Sequence, residues 1–227
     1  MITVRTQSKT LKFIKDSKLH VVTAALGADI VVHSGTKFIN GHSDVVMGVI
    51  ALSSESIKDK LAFLQNAVGA VPSPFDCWLA HRGLKTMHLR VAAACHNATV
   101  VALALQESSL VIDVIYPGLS SHPQRDIALK QHRDGLGGGV LAFRIRGGSA
   151  AAERFCQALR LFTLAESFAG VESLVEVPST MTHSVLPEGA GHMVTLPDDL
   201  VRLSCGIENA GDLRADVLQA LDIATGV

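Results

Sequence analysis

The sequence predicts an α/β protein, and two observations support that fold class. VVTAALGADIVVHSG is an apolar run rich in Val and Ile, which is typical of a strand buried on both faces. Such strands belong to parallel sheets covered by helices. Beyond the middle of the chain, strand-like and helix-like patterns alternate to the end, as they do in α/β domains.

In the first half, a second strand and further helical stretches follow. GVIAL is the second strand. Ser53 or Ser54 is a suitable N-cap for the helix SIKDKLAFLQNAV, whose apolar residues fall at helical spacing. From Phe75 a helical pattern continues for about 30 residues, and this stretch needs tertiary support because it contains a glycine and several β-branched residues. We expect this long helix to link two domains.

The second half alternates regularly between strands and helices. In order, the predicted elements are LVIDVIY, PQRDIALKQH, GGVLAFRIRGG, SAAAERFCQAL, VRLSCGIE and AGDLRADVLQALDIA, beginning with a strand. LPEGAGHMVTLPDD is predicted to be an exposed loop. The glycines of DGLGGGVLAF precede a strand pattern rather than follow one, so they predict a turn and not a nucleotide-binding loop. We expect the domains to be residues 1–88 and 89–227.

Composition and charge narrow the possible functions. Of 227 residues, 48% are hydrophobic and 18% are charged, and the formal net charge is −1, which is typical of globular proteins. This near-neutral balance gives no electrostatic support for nucleic acid or an anionic membrane as a partner. The polar N-terminus has no signal-peptide core, and no stretch is expected to reach the ~20 apolar residues that span a bilayer. We therefore expect a cytoplasmic protein.

Cysteine and histidine spacing does not predict a metal site. The four cysteines, Cys77, Cys95, Cys156 and Cys205, are widely separated and form no CxxC pair, so neither a zinc site nor a disulfide framework is indicated. We expect them to be reduced and mostly buried. The ten histidines include no HExxH motif and are expected at the surface.

Ser34, Thr36 and Lys37 form the clearest candidate site. They directly follow a predicted strand, at the strand end where α/β sheets collect their ligands. A lone lysine in that position usually faces solvent. Two hydroxyl groups beside an amine, however, can hold a phosphate while the amine forms a Schiff base with an aldehyde cofactor. The spacing therefore predicts a cofactor site.

Two charged residues in apolar surroundings are further candidates. Glu166 lies in LFTLAESFAG, where its carboxylate is either satisfied by local backbone donors or directed into a cleft. Arg202 lies in a strand pattern that is otherwise apolar and needs an acceptor: Glu208, a group of main-chain carbonyls or a substrate carboxylate. Composition does not decide between these alternatives.

Several segments together resemble the Cys/Met-metabolism family of fold-type I pyridoxal-phosphate enzymes. They are GADIVVHSGTKFINGHSDVVMG, SPFDCWLAHRGLKTMHLR, VIYPGLSSHPQ, LFTLAES, MTH and RLSCGIE, and the match runs from about Leu26 to the C-terminus. Within the family the chain is most similar to the cystathionine γ-lyases, especially the fungal ones, and the cystathionine γ-synthases are the nearest rival. The resemblance implies a remnant of the family's large cofactor-binding domain, joined by a long helix to a C-terminal α/β domain.

The resemblance also implies an activity. Lys37 matches the lysine that binds pyridoxal 5'-phosphate covalently, and Ser34 and Thr36 match contacts to its phosphate. The implied reaction is α,γ-elimination of cystathionine to cysteine, 2-oxobutyrate and ammonia, with Lys37 as both cofactor anchor and base. Family members are usually tetramers in which two subunits build each site, so a homo-oligomer is expected.

The implied substrate site lies in the second half of the chain. Arg202 matches the arginine that pairs with the substrate α-carboxylate, and Ser167 and Thr182 match its neighbours. Glu166 matches a glutamate of the members that act on cystathionine. The family pattern ESLGG is replaced here by ESFAG, so different packing beside Glu166 is expected.

The matching region covers a little more than half of a typical family member. The family's first half supplies a tyrosine over the cofactor ring, an aspartate at the pyridine nitrogen, phosphate donors at a helix N-terminus and a tyrosine–arginine pair for the neighbouring site. Tyr116 matches neither tyrosine. We therefore expect weak turnover or none from this chain alone, and partly unpaired apolar strands around 28–32 and 45–51. The alternative is a non-catalytic chain that assembles with full-length homologues.

Overall fold

The chain forms two compact units in a computed structural model. The residues that the structure describes are 2–5, 27–181 and 196–226. One unit contains the chain up to Ala92 together with Asp126–Leu136, and the other contains Ala93–Arg125 together with the chain from Gly137 onward. The domain boundary predicted between residues 88 and 89 stays a prediction.

The first unit contains a three-stranded mixed sheet. Its strands, in sheet order, are β1 (Ile2–Arg5), β3 (Gly48–Leu52) and β2 (Ile30–Ser34). β1 runs parallel to β3, whereas β2 runs antiparallel to it, with Val32 opposite Ile50. The expectation of a purely parallel sheet was therefore wrong at β2. The expectation that β2 is buried on both faces was also wrong, because Val31 is its only buried residue.

The helix predicted after β3 is confirmed. α1 spans Glu55–Val68, and the Ser54 hydroxyl caps it by accepting a hydrogen bond from Ile57 N at 3.4 Å. Gly69 ends the helix with φ 78°, a left-handed conformation that glycine adopts without steric cost. As far as the described residues show, α1 buries none of its side chains. It therefore lies on the surface of its unit.

The long helical stretch predicted from Phe75 is two helices rather than one. α2 spans Pro74–Leu84 and α3 spans Met87–Glu107. Between them, Thr86 N donates to Gly83 O at 3.2 Å, a tight turn that closes α2 before α3 begins. The prediction of one continuous helix was wrong for this reason.

The second unit is built on a five-stranded sheet. Its strands, in sheet order, are β4 (Val111–Ile115), β5 (Val140–Ile145), β8 (Leu200–Ser204), β7 (Leu174–Glu176) and β6 (Thr163–Leu164). A short helix, α4 (Arg125–Gln131), begins where the two units divide. α5 (Gly148–Ala158) packs against β5, β8 and α6 (Ala210–Thr225). Buried residues alternate along β5, so one face of the sheet packs on the core.

Aromatic side chains fill the centre of the second unit. The rings of Phe143 and Phe155 meet edge to face with centroids 5.3 Å apart, a favoured aromatic geometry. Tyr116 is fully buried, and its hydroxyl donates to Gly138 O at 2.8 Å. Burial raises the pKa of Tyr116 to about 12. Tyr116 is therefore a core residue with its polar group satisfied.

The alternation predicted for the second half is confirmed element by element, from β4 to α6. β6 and β7 were not predicted, since at two and three residues they are too short to show a period. β1 was not predicted either. The predicted loop LPEGAGHMVTLPDD lies largely outside the described residues.

One helix meets the length and hydropathy of a membrane span, contrary to the expectation from the sequence. It is α3, with 21 residues and a mean hydropathy of 1.2 over its most apolar window. Of that window, 56% is buried inside the protein. A helix packed in a protein core meets the same criteria, so this is weak support for a membrane location.

The burial of three thiols generates a reactivity prediction. All four cysteines are free, with Cys95, Cys156 and Cys205 buried and Cys77 half-buried. Burial raises the pKa of Cys95 to about 11 and that of Cys156 to about 12, and raises that of Cys205 as well. Because the thiolate is the reacting form, iodoacetamide at pH 8 should modify Cys77 at least about tenfold faster than the other three. Peptide mass mapping over time measures this.

The matched control is the same reaction in concentrated urea, where the four cysteines should react at similar rates. Equal rates in the native chain would contradict the burial of the three thiols.

Candidate functional site

The lysine-bearing turn directly follows β2. Gly35–Ile39 forms a short wide helical turn that is interrupted at Lys37, whose φ of −85° and ψ of −133° are not helical. Gly35 N donates to Met47 O at 2.7 Å, and Met47 N donates to Thr36 Oγ1 at 3.0 Å. Hydrogen bonds in both directions therefore fix the turn to the residue that precedes β3.

Two of the three cofactor candidates, Thr36 and Lys37, lie in this turn, and Ser34 directly precedes it. Ser34 is exposed, and Thr36 and Lys37 are half-buried. Thr36 Oγ1 accepts a hydrogen bond from Met47 N, and a hydroxyl that accepts one bond keeps its own hydrogen to donate. Two hydroxyls and an amine within four residues are a donor set that fits an anion beside an amine-reactive group. The individual roles stay predictions.

A buried arginine that the sequence analysis missed lies behind the turn. Arg90, in α3, is 6% exposed. It donates from Nη1 to Phe38 O at 2.9 Å and from Nη2 to Ile39 O at 3.3 Å. Nη2 also donates to Gly83 O at 2.7 Å, and Nε donates to Thr86 Oγ1 at 3.1 Å. The sequence does contain a signal for it: an arginine inside the apolar helical stretch HLRVAAA. An arginine in such a stretch indicates a buried guanidinium, which needs hydrogen-bond acceptors.

Glu166 and Ser167 lie in the second unit, just after β6. Glu166 is exposed and Ser167 is half-buried. The segment is held by a hydrogen bond of 2.8 Å from Ala169 N to Ser204 Oγ. Ala169 has a φ of 67°, a left-handed conformation that costs a residue with a Cβ about 1 kcal/mol or more. The ESFAG pattern thus places a side chain where the family's ESLGG has glycine.

Arg202, in β8, pairs with a glutamate on the neighbouring strand. Its Nη2 lies 2.9 Å from Oε2 of Glu176, an ion pair rather than a well-aligned hydrogen bond. Glu176 lies directly opposite in β7 and is 1% exposed. The Phe168 ring centroid lies 4.9 Å from Arg202 Cζ, a cation–π contact. Glu208 instead accepts from Ser173 N at 2.6 Å, so the glutamate that neutralises Arg202 is Glu176 and not Glu208.

The predicted residues divide between the two units. The turn after β2 belongs to the first unit, and the predicted substrate residues of the second unit are Glu166, Ser167 and Arg202. Thr182 lies outside the residues that the structure describes. Convergence of the two groups on one site stays a prediction.

Residues 17–222 match the sequence pattern of the family described as Cys/Met metabolism PLP-dependent enzyme. The cystathionine gamma-lyase of Saccharomyces cerevisiae is 57% identical over 200 residues, which are 88% of this chain and 51% of that protein. The cystathionine gamma-synthase of Mycobacterium tuberculosis is 52% identical over 196 residues, 86% of this chain and 49% of that protein. The crystal structure of cystathionine gamma-lyase from yeast superimposes with a TM-score of 0.86 and 50% identity, covering 99% of this chain and 56% of that one.

These similarities confirm the resemblance and the α/β fold class. The family and its relatives are PLP-dependent enzymes. The chain spans about half the length of the curated relatives that it matches, and its fold corresponds to part of theirs.

The Glu176–Arg202 pair generates a stability prediction. Glu176→Ala removes the carboxylate beside Arg202 and leaves a cavity in β7, so we expect the free energy of unfolding of the second unit to fall by about 3 kcal/mol. Urea unfolding followed by circular dichroism measures it. The control is Glu172→Ala, which changes an exposed glutamate four residues earlier and should have an effect within about 0.5 kcal/mol. Equal effects of the two variants would show that the ion pair does not stabilise the unit.

Proposed function

Because the chain belongs to the Cys/Met-metabolism family of pyridoxal-phosphate enzymes, we propose that the protein is a carbon–sulfur lyase of the cystathionine γ-lyase type. The proposed reaction is α,γ-elimination of cystathionine, with uptake of one water, to cysteine, 2-oxobutyrate and ammonia. One observation supports the proposal: the turn after β2 carries Thr36 and Lys37 directly after Ser34 and is hydrogen-bonded to Met47 in both directions. A turn of this kind suits a cofactor that has both a phosphate and an aldehyde.

The residues of the turn would divide the binding of the cofactor between them. When bound, pyridoxal phosphate supplies an aldehyde for covalent attachment and a ring that stores electrons. Lys37 Nζ would make the covalent bond, and the hydroxyls of Ser34 and Thr36 would donate to the phosphate. Since Met47 N directs Thr36 Oγ1, one phosphate donor would be oriented before the cofactor arrives.

Lys37 would also be the base of the reaction. Its released amine would take the proton from Cα of the substrate and return a proton nearby, as general acid–base catalysis requires of a positioned group. No other side chain of the turn can exchange a proton near neutral pH, because serine and threonine hydroxyls do not ionise there.

Arg202 would bind the substrate α-carboxylate with the part of its guanidinium that does not face Glu176. A guanidinium has five N–H donors in a planar fork, and the contact with Glu176 involves Nη2. Glu176 would hold the arginine in place, and the Phe168 ring would support its face. Glu166, which is exposed, would select cystathionine among possible substrates.

The runner-up activity is that of a cystathionine γ-synthase. Relatives of both kinds match the chain, the yeast lyase at 57% and the mycobacterial synthase at 52% identity, and every site residue named above suits either reaction. The higher identity to the yeast lyase favours elimination. We further propose a cytoplasmic homo-oligomer. In a third alternative the chain is not catalytic and acts by assembling with full-length homologues.

Cofactor attachment provides the first test. Incubation of the purified chain with pyridoxal phosphate, followed by borohydride reduction, should label Lys37, and peptide mass mapping should recover the adduct there. Lys37→Ala should abolish this label. Lys60→Ala, which removes an exposed lysine of α1, should leave it unchanged. Labelling scattered over surface lysines would count against a cofactor site in this chain.

Product analysis separates the two reactions. With the unreduced chain and added pyridoxal phosphate, we expect 2-oxobutyrate to be released slowly from cystathionine, since the chain spans about half of its relatives. Formation of cystathionine from cysteine and a γ-activated homoserine, without release of 2-oxobutyrate, would favour the synthase instead. Both products are measured by chromatography with mass detection, and Lys37→Ala is the blank.

A further inference from the structure

The turn that carries Lys37 is held from both sides along the backbone. On the N-terminal side, Gly35 and Thr36 are bonded to Met47. On the C-terminal side, the carbonyls of the two residues after Lys37 both accept from Arg90. Lys37 therefore lies between two fixed segments of two residues each.

Arg90 is suited to this task by the shape of its side chain. Its planar fork fixes the directions of the donors, so bonds to Phe38 O and Ile39 O set the orientation of two consecutive peptide planes. Within the described residues, its hydrogen-bond partners are one hydroxyl and three carbonyls, with no carboxylate among them. Three of these four partners are backbone carbonyls, two in the turn and one in α2.

Two glycines make the close approach possible. A Cβ at Gly41, which has a φ of 77°, would overlap Nη1 of Arg90. A Cβ at Gly83 would overlap the backbone oxygen of Asn40. Gly41 N also donates to Lys37 O at 2.8 Å, so the residue in contact with the guanidinium is bonded directly to the lysine. The packing leaves no space for Arg90 to move without moving the turn.

We propose that Arg90 is a positioning residue for Lys37. By holding Phe38 O and Ile39 O, it fixes the backbone from which the Lys37 side chain extends. The proposal deepens the proposed function, because it rests on Lys37 being the cofactor-binding lysine. A lysine at position 90 would keep the charge but present its donors from a single point, so it could not hold both carbonyls.

The first arm of the test needs no cofactor. Amide hydrogen exchange of Gly41 reports on its bond to Lys37 O, and exchange of Gly69, bonded to Gln65 O at 3.0 Å, serves as an internal reference in α1. In Arg90→Lys and Arg90→Gln, the protection of Gly41 should fall by about tenfold or more, since hydrogen bonds to a charged group are lost. Protection of Gly69 should not change.

The second arm measures cofactor attachment as a ratio. Pyridoxal phosphate and borohydride are used to label the chain, and the yield at Lys37 is divided by the yield at Lys60. In Arg90→Lys this ratio should fall by about tenfold, with a changed pH dependence of Lys37 labelling, because the amine samples several positions. A loss of stability alone would lower the melting temperature without changing the ratio in molecules that remain folded.

The matched control is Arg154→Lys. Arg154 also binds a backbone carbonyl, donating from Nε and Nη2 to Ala224 O at 2.9 and 2.7 Å, but it belongs to the second unit. It should leave both Gly41 exchange and the labelling ratio unchanged. Circular dichroism at the labelling temperature verifies that each variant is folded, and the milder Arg90→Lys decides the test if Arg90→Gln does not fold.

The outcomes separate this proposal from the proposed function. Unchanged Gly41 exchange in Arg90→Lys overturns the positioning role, whether or not the cofactor binds. Faster exchange with an unchanged labelling ratio overturns it too, because the turn would then move without affecting the amine. If the unaltered chain does not label Lys37, the proposed function fails, and the exchange arm still decides whether Arg90 orders the turn.

Discussion

The backbone of Met47 holds the lysine-bearing turn through both of its polar groups. Its carbonyl accepts from Gly35 N and its N–H donates to Thr36 Oγ1. A turn between an edge strand and a loop would otherwise sample many conformations. Each released residue gains conformational entropy that is worth roughly 1–2 kcal/mol. Met47 directly precedes β3, whose residues from Val49 to Leu52 are buried. The turn is therefore bonded to the residue next to a buried strand.

Two arginines, the buried Arg90 and the half-buried Arg202, are stabilised in different ways. Arg90 is surrounded by carbonyls and a hydroxyl, and Arg202 faces the carboxylate of Glu176. Carbonyl dipoles lower the cost of burying a charge and fix its orientation without neutralising it. A carboxylate neutralises the charge, which reduces the attraction that remains for a substrate anion. An arginine that must bind a substrate carboxylate therefore needs a second edge of donors, which a guanidinium has and an ammonium lacks.

Local signals predicted most of the fold. Turn and cap chemistry placed α1 within a residue of its observed start at Glu55, and alternating patterns located β5 and β8. The failures have physical reasons. The apolar sequence of β2 predicts a buried strand, yet the exposed fraction of Val32 is 69%. Pairing direction is a long-range property that no local pattern encodes, so the antiparallel β2 could not be foreseen.

Sequence reasoning could propose some residues of the candidate site and missed others. Lys37 and its two hydroxyl neighbours are close together in sequence, so local reasoning was enough to propose them. Arg90 and Glu176 act through partners far away in the chain, Arg90 on residues 38 and 39 and Glu176 on residue 202. An arginine among apolar helix residues, or a glutamate in a three-residue strand, indicates burial and does not identify the partner.

β2 is both the last strand in the order of its sheet and the strand that leads into the Lys37 turn. It ends the strand order β1-β3-β2, its residues Ile30 and Val32 are 45% and 69% exposed, and its C-terminal residue begins the Lys37 turn. An exposed apolar edge strand is a template for pairing with a further chain segment. A chain segment that pairs with β2 would order the strand that positions the turn, so pairing would favour cofactor binding. Linkage then requires that a cofactor bound at Lys37 favour pairing by the same factor. Completion of the sheet and occupation of the site would then be coupled equilibria.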